Sequence, residues 1–95
     1  MLHNIIQVFP QKDFTVYCYF DDGHIKLYDV KPLLGRGIFQ KISNIEDFIE
    51  KCTVLNSTLA WDIGGNYDPY KCIDLDPEQI YNDSKDVKDP LIKSA

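Results

Sequence analysis

The chain has 95 residues, about one domain's length, and its 44% hydrophobic and 13% aromatic content is enough for an ordinary core and against a disordered chain. Fifteen acidic against ten basic residues give a net charge of −5, and the basic residues fall singly along the chain, without the phosphate-neutralising patch that direct nucleic-acid binding or an anionic membrane requires. No stretch has the apolar length of a membrane span, residues 1–6 lack the pattern of a secretory signal, and Cys18, Cys52 and Cys72 have no metal-finger or redox spacing, so the expectation is a reducing, cytoplasmic compartment.

Residues 5–9 form an apolar run closed by Pro10 and predict a first strand. Phe14, Val16, Cys18 and Phe20 then alternate with Thr15, Tyr17 and Tyr19, the period-two pattern of a half-buried strand. Asp22-Gly23 predicts a two-residue type I′ reversal, a turn that needs positive φ at both central residues. With Asp21 opposite His24, Phe20 meets Ile25, Tyr19 meets Lys26, Cys18 meets Leu27 and Tyr17 meets Tyr28. The expected core face therefore carries Phe14, Val16, Cys18, Phe20, Ile25 and Leu27. The expected outer face carries Tyr17, Tyr19, Tyr28, Lys26, Asp21 and His24.

Pro32-Leu33-Leu34-Gly35 reads as a short helical turn, stopped by Gly35-Arg36-Gly37. Residues 43–52 predict the main helix. Ser43 and Glu46 fit a capping box, and Ile45, Phe48, Ile49 and Cys52 make one apolar stripe. Residues 53–55 and 58–61 predict two strands joined at Asn56-Ser57, and residues 64–71 a loop. Asp76 is an N-cap with Pro77 at the first helical position and Gln79 completing a capping box, so Ile80 and Tyr81 would pack a short helix onto the sheet. The predicted architecture is a single α+β domain over residues 1–81: a small, mainly antiparallel sheet, one main helix on one face and a short C-terminal helix. A polar, frayed tail is expected over residues 82–95.

Phe20-Asp21-Asp22-Gly23, the stretch from Tyr28 to Leu34, Gly37-Ile38-Phe39, Trp61-Asp62, Tyr67-Asp68-Pro69 and the stretch from Ile73 to Tyr81 occur in that order. Together they resemble the domain of unknown function 2442 family, small bacterial proteins, over nearly the whole domain. The resemblance implies a compact α+β fold. Some members carry an added helix-turn-helix domain, and others are encoded beside a small toxin-like partner and are described as antitoxin-like. The family has no established catalytic residues to carry over, and the fourteen residues after Tyr81 are too few for a helix-turn-helix.

Several constellations invite a function. Asp62, Asp68, Asp74 and Asp76 present carboxylates of the kind hard cations take, but their spacing does not match a calcium loop and Asp76 serves equally as a helix cap. Trp61, Tyr67 and Tyr70 could wall an aromatic pocket, although a lone tryptophan in a small domain is more often the largest plug in its core. Tyr17, Tyr19 and Tyr28 with Lys26 form a tyrosine face suited to an interface, or to cover by the chain's own elements. His24 beside Asp21 has no serine or cysteine nucleophile placed near it, and the lone G-x-G lacks the context of a nucleotide loop. The expectation is a non-enzymatic protein-interaction module with no cofactor and no catalytic residues. Its partner would be another protein: on the resemblance, a basic toxin-like one to which it is the antitoxin-like half, or itself as a homodimer. The alternative is a small-ligand or divalent-metal domain built on residues 61–76.

Overall fold

The apolar run and the alternating segment become the first two strands in the computed structural model, which describes residues 2–65 and 71–90. The chain runs β1 (Ile5–Pro10), β2 (Thr15–Phe20), β3 (Ile25–Asp29), 3-10 segments at Lys31–Leu33 and Gly37–Ile42, α1 (Ile45–Glu50), β4 (Cys52–Leu55), β5 (Thr58–Asp62), β6 (Cys72–Asp74), α2 (Pro77–Asp83) and β7 (Lys85–Asp86). The fold is α+β, with two antiparallel sheets rather than one: β1-β2-β3-β7 and β4-β5-β6.

The first hairpin departs from the expected register by one residue. Tyr17 pairs with Leu27, Cys18 with Lys26, Val16 with Tyr28 and Tyr19 with Ile25. The reversal holds three residues, not two. Phe20 and His24 close it with a 2.9 Å bond, and the Gly23 N–H donates to the Phe20 carbonyl at 3.1 Å. Gly23 takes φ +92, the left-handed glycine that ends a three-residue hairpin loop. Because strand side chains alternate, one step of slip exchanges the two faces of β3. Lys26 and Tyr28 turn inward, each 7% exposed, beside Val16, Cys18 and Phe20. Ile25 and Leu27 turn outward.

At Asn56-Ser57 the expected two-residue reversal forms, with both residues at positive φ and Leu55 paired to Thr58. The β5 strand that follows is buried along its length. An Ile5 N–H to Ser57 carbonyl bond of 2.8 Å ties β1 to this second sheet. Asn44, not Ser43, caps α1: its side chain accepts the Glu46 N–H at 2.8 Å, while the Ser43 hydroxyl donates to the Gln40 carbonyl. The helix ends at Glu50, and Cys52 opens β4 instead of closing the helix. The apolar stripe nonetheless packs as expected, with Phe48 buried and Ile45 and Ile49 against the core.

One core joins both sheets and both helices. Its largest fully buried side chains are Trp61, Phe48, Ile5, Ile42, Leu59 and Ile80. The Phe48 ring lies 5.0 Å from Phe14 and 5.6 Å from Trp61, centroid to centroid. From Asn82 to Val87 the chain is not a free tail. Helix α2 runs on to Asp83, β7 pairs Lys85 with Leu27 and Asp86 with Lys26, and the Val87 N–H donates to the Ile25 carbonyl at 2.9 Å. These bonds satisfy backbone groups that would otherwise leave β3 an open edge.

Candidate functional site

The corrected register gathers Gln7 and Phe9 of β1, Tyr17 and Tyr19 of β2, and Ile25 and Leu27 of β3 on the outer face of the first sheet. Phe9 is 37% exposed, its ring 6.2 Å from that of Tyr17. Ile6, at the bulge where β1 slips against β2, is 64% exposed. Tyr17, Tyr19, Ile25 and Leu27 are half-buried, yet the core and the partly buried side chains packed on it include none of them. The centre of this face carries no charge. The Tyr19 hydroxyl donates to Asp89 at 2.7 Å, and burial, then that neighbouring carboxylate, push its pKa up to about 12. Tyrosine with such a donor and an apolar body suits a surface that is wet until a partner covers it.

Of the four residues predicted for a tyrosine face, Tyr17 and Tyr19 lie here and Tyr28 and Lys26 do not. The Lys26 ammonium sits 4.2 Å above the Tyr81 ring and 3.3 Å from Asp86, held by α2 and β7 on the inner side. Tyr28 is buried there too, and its hydroxyl is shifted upward by burial and by Asp83. Sequence reasoning missed Phe9, Ile25 and Leu27. The signal for them was present in the glycine of Asp-Asp-Gly, which serves a three-residue loop as well as a two-residue one.

A second cluster fastens the C-terminal helix. His3 stacks on Tyr81 at 3.6 Å between centroids, and its Nδ1 lies 2.6 Å from Glu78 Oε1. The Glu78 carboxylate also accepts the His3 backbone N–H. Tyr81 donates its hydroxyl to Asp22 at 2.8 Å, and His24 Nδ1 lies 3.0 Å from Asp86. His24 therefore meets Asp86 across the sheet rather than Asp21 beside it. Hydrogen bonds hold the three carboxyls below their ordinary range: the His24 backbone N–H for Asp22, the His3 backbone N–H for Glu78, and the His24 ring for Asp86.

The alternative site comes apart. Trp61 has no exposed surface, and its indole N–H donates to the Phe48 carbonyl at 3.0 Å, so it fills the core instead of walling a pocket. Tyr67, Tyr70 and Asp68 lie outside the described residues. Asp62 is buried and accepts the Gly65 N–H at 3.0 Å, Asp74 is exposed on β6, and Asp76 caps α2 through the Glu78 N–H at 2.9 Å. Among the described residues no three His, Cys, Asp or Glu side chains converge as a metal site. A hollow near Asp62 is lined by Glu50, Lys51, Cys52, Thr53 and Gly65, and Trp61 presents no surface to it. Burial raises the Cys18 thiol well out of the reactive range and pushes Cys52 up to about 12. Gly35 lies between the two 3-10 segments and Gly37 opens the second.

No helix among the described residues is long and apolar enough to cross a membrane. Comparison with curated proteins and with solved structures returned no match. The family model described as "protein of unknown function (DUF2442)" matches residues 5–86, from the first residue of β1 to the last of β7. Every strand and helix of the fold lies inside that span, and the chain belongs to the DUF2442 family.

Proposed function

We propose that the chain is a non-enzymatic protein-interaction module whose contact surface is the outer face of β1, β2 and β3. One observation carries this reading: Phe9, Tyr17, Tyr19, Ile25 and Leu27 form a continuous apolar face that the chain's own core does not use. Contiguous apolar surface outside the core, here half-buried apart from exposed Phe9, is the kind that contact sites on small domains use. Tyrosine and phenylalanine supply large contact area with little rotamer entropy to lose. The finer form of the reading is an antitoxin-like member of a bacterial pair, for which the net charge of −5 gives long-range attraction to a basic partner. Against catalysis stands the chemistry of the nucleophile candidates: two thiols are held protonated by burial, and both imidazoles face carboxylates of the helix clasp.

The test places a photo-cross-linking benzophenone side chain at Tyr17, and separately at exposed Gln40 on the Gly37–Ile42 segment, in cells making the protein. A discrete protein adduct at Tyr17 and none at Gln40 is the expected result. No adduct at either position, or the same adducts at both, would end the proposal.

A further inference from the structure

We infer that the hollow between the end of β3, the Lys31–Leu33 segment and α2 binds the guanidinium group of an arginine, with the methylene stem laid along Pro32 and Leu33. This site goes beyond the interaction reading and makes no use of the outer face. The hollow has a volume of about 300 Å³, at the lower end for ligand pockets, and its walls are Tyr28, Asp29, Pro32, Leu33, Gln79 and Asp83. The register that turns Tyr28 inward brings it to this wall. Tyr28 is only 7% exposed, yet its hydroxyl has no hydrogen-bond partner among the described residues. Nor is that oxygen sealed in the core: among the described residues the orphaned, fully buried side-chain atom is the Ser84 hydroxyl. The surface that Tyr28 retains belongs to the hollow. A nearly buried phenol left without a partner there calls for a polar guest.

The charge of the site selects a cation. Asp83 has no hydrogen-bond or ion-pair partner among the described residues. Asp29 is shared with Lys31, whose backbone N–H and ammonium both lie 3.0 Å from its Oδ1. Burial first, then Asp83, and at a greater remove Asp29, raise the pKa of Tyr28, so all three groups act on one space. Chemistry then narrows the cation. A hard divalent ion needs about six oxygen ligands and gains nothing from walls of proline and leucine. An ammonium is a compact, strongly hydrated point charge. A guanidinium is weakly hydrated and spreads its N–H donors around a plane, which suits acceptors set apart on Asp83, Asp29, the Tyr28 oxygen and the Gln79 carbonyl. The apolar wall takes the stem.

Amide NMR titration of the full chain with Nα-acetyl-argininamide tests this, against the lysine counterpart and the neutral citrulline one. The expected result is a saturable, millimolar shift confined to residues 28–33 and 79–83, weaker with the lysine probe and absent with the citrulline probe. Asp83→Asn and Tyr28→Phe should each weaken binding by about fivefold, while Lys31→Ala, which frees Asp29, should tighten it. Asp83 is exposed, so its variant keeps the test decisive even if Tyr28→Phe fails to fold. Free L-arginine separates the two sources of the group. Weaker binding than the blocked form, whose missing carboxylate spares it repulsion from the aspartates, assigns the guanidinium to an arginine within a polypeptide; tighter binding assigns it to the free amino acid. No saturable shift up to about 50 mM probe, equal response to the citrulline probe, or indifference to Asp83→Asn overturns the inference. None of these results bears on the Tyr17 cross-link, which tests the outer face separately.

Discussion

Lys26 is a charged residue at an inner position, and three partners make that tolerable. Its ammonium lies over the Tyr81 ring, pairs with Asp86, and leaves its methylene stem packed beside Cys18. None of those partners is local in sequence, and a two-residue register at Asp22-Gly23 points Lys26 to solvent and Ile25 and Leu27 to the core. Asn44 teaches a smaller version of the same lesson. Ser43 and Asn44 are both good caps, and the 3-10 segment that runs into Ser43 occupies its hydroxyl with Gln40. In urea denaturation Asn44→Ala should therefore cost about 1 kcal/mol and Ser43→Ala only a few tenths. The reverse order would restore the Ser43 capping box. The size of Trp61 predicts a core residue, and its indole packs between β5 and Phe48 of α1. Trp61→Ala should cost about 3–5 kcal/mol by the same measurement, and a loss under about 1 kcal/mol would mean that the indole is not the core's largest plug.

The elements were largely legible; their pairing was not. Strands β1, β2, β4 and β5 and the start of α2 follow from alternation, apolar runs and the Asp76-Pro77 cap, all of which are local signals. Strand β7 has no such signal. Lys85-Asp86 becomes a strand only because the helix before it is clasped onto the hairpin by His3, Asp22, His24 and Tyr81. That clasp gives the protein an acid-sensitive element. Asp22, Glu78 and Asp86 are held below their ordinary range when folded, so their contribution is in place above the unfolded-chain value of roughly 4 and disappears as pH falls through the lower folded values. Tyr81 ring resonances should accordingly move in step with the titration of these carboxyls below about pH 4. Ring shifts that stay constant until the whole chain unfolds would show that the clasp is not linked to them.

At the scale of the whole molecule, a small chain has too little material to cover both faces of a four-stranded sheet. The second sheet, α1 and α2 all contribute to one core on the inner side, and the outer face of β1, β2 and β3 is left with apolar side chains that the core does not use. Fold class was readable from sequence because it depends on element types. The outer face is only half readable, because it depends on one residue of register at a turn that accommodates two loop lengths. Leu27→Asp in urea denaturation at a concentration that keeps the chain monomeric tests that register most directly. With Leu27 outside the core, the loss should be about 1 kcal/mol or less. A loss above roughly 3 kcal/mol, the cost of forcing an unpaired charge into the interior, would put Leu27 back inside and remove the contact face altogether.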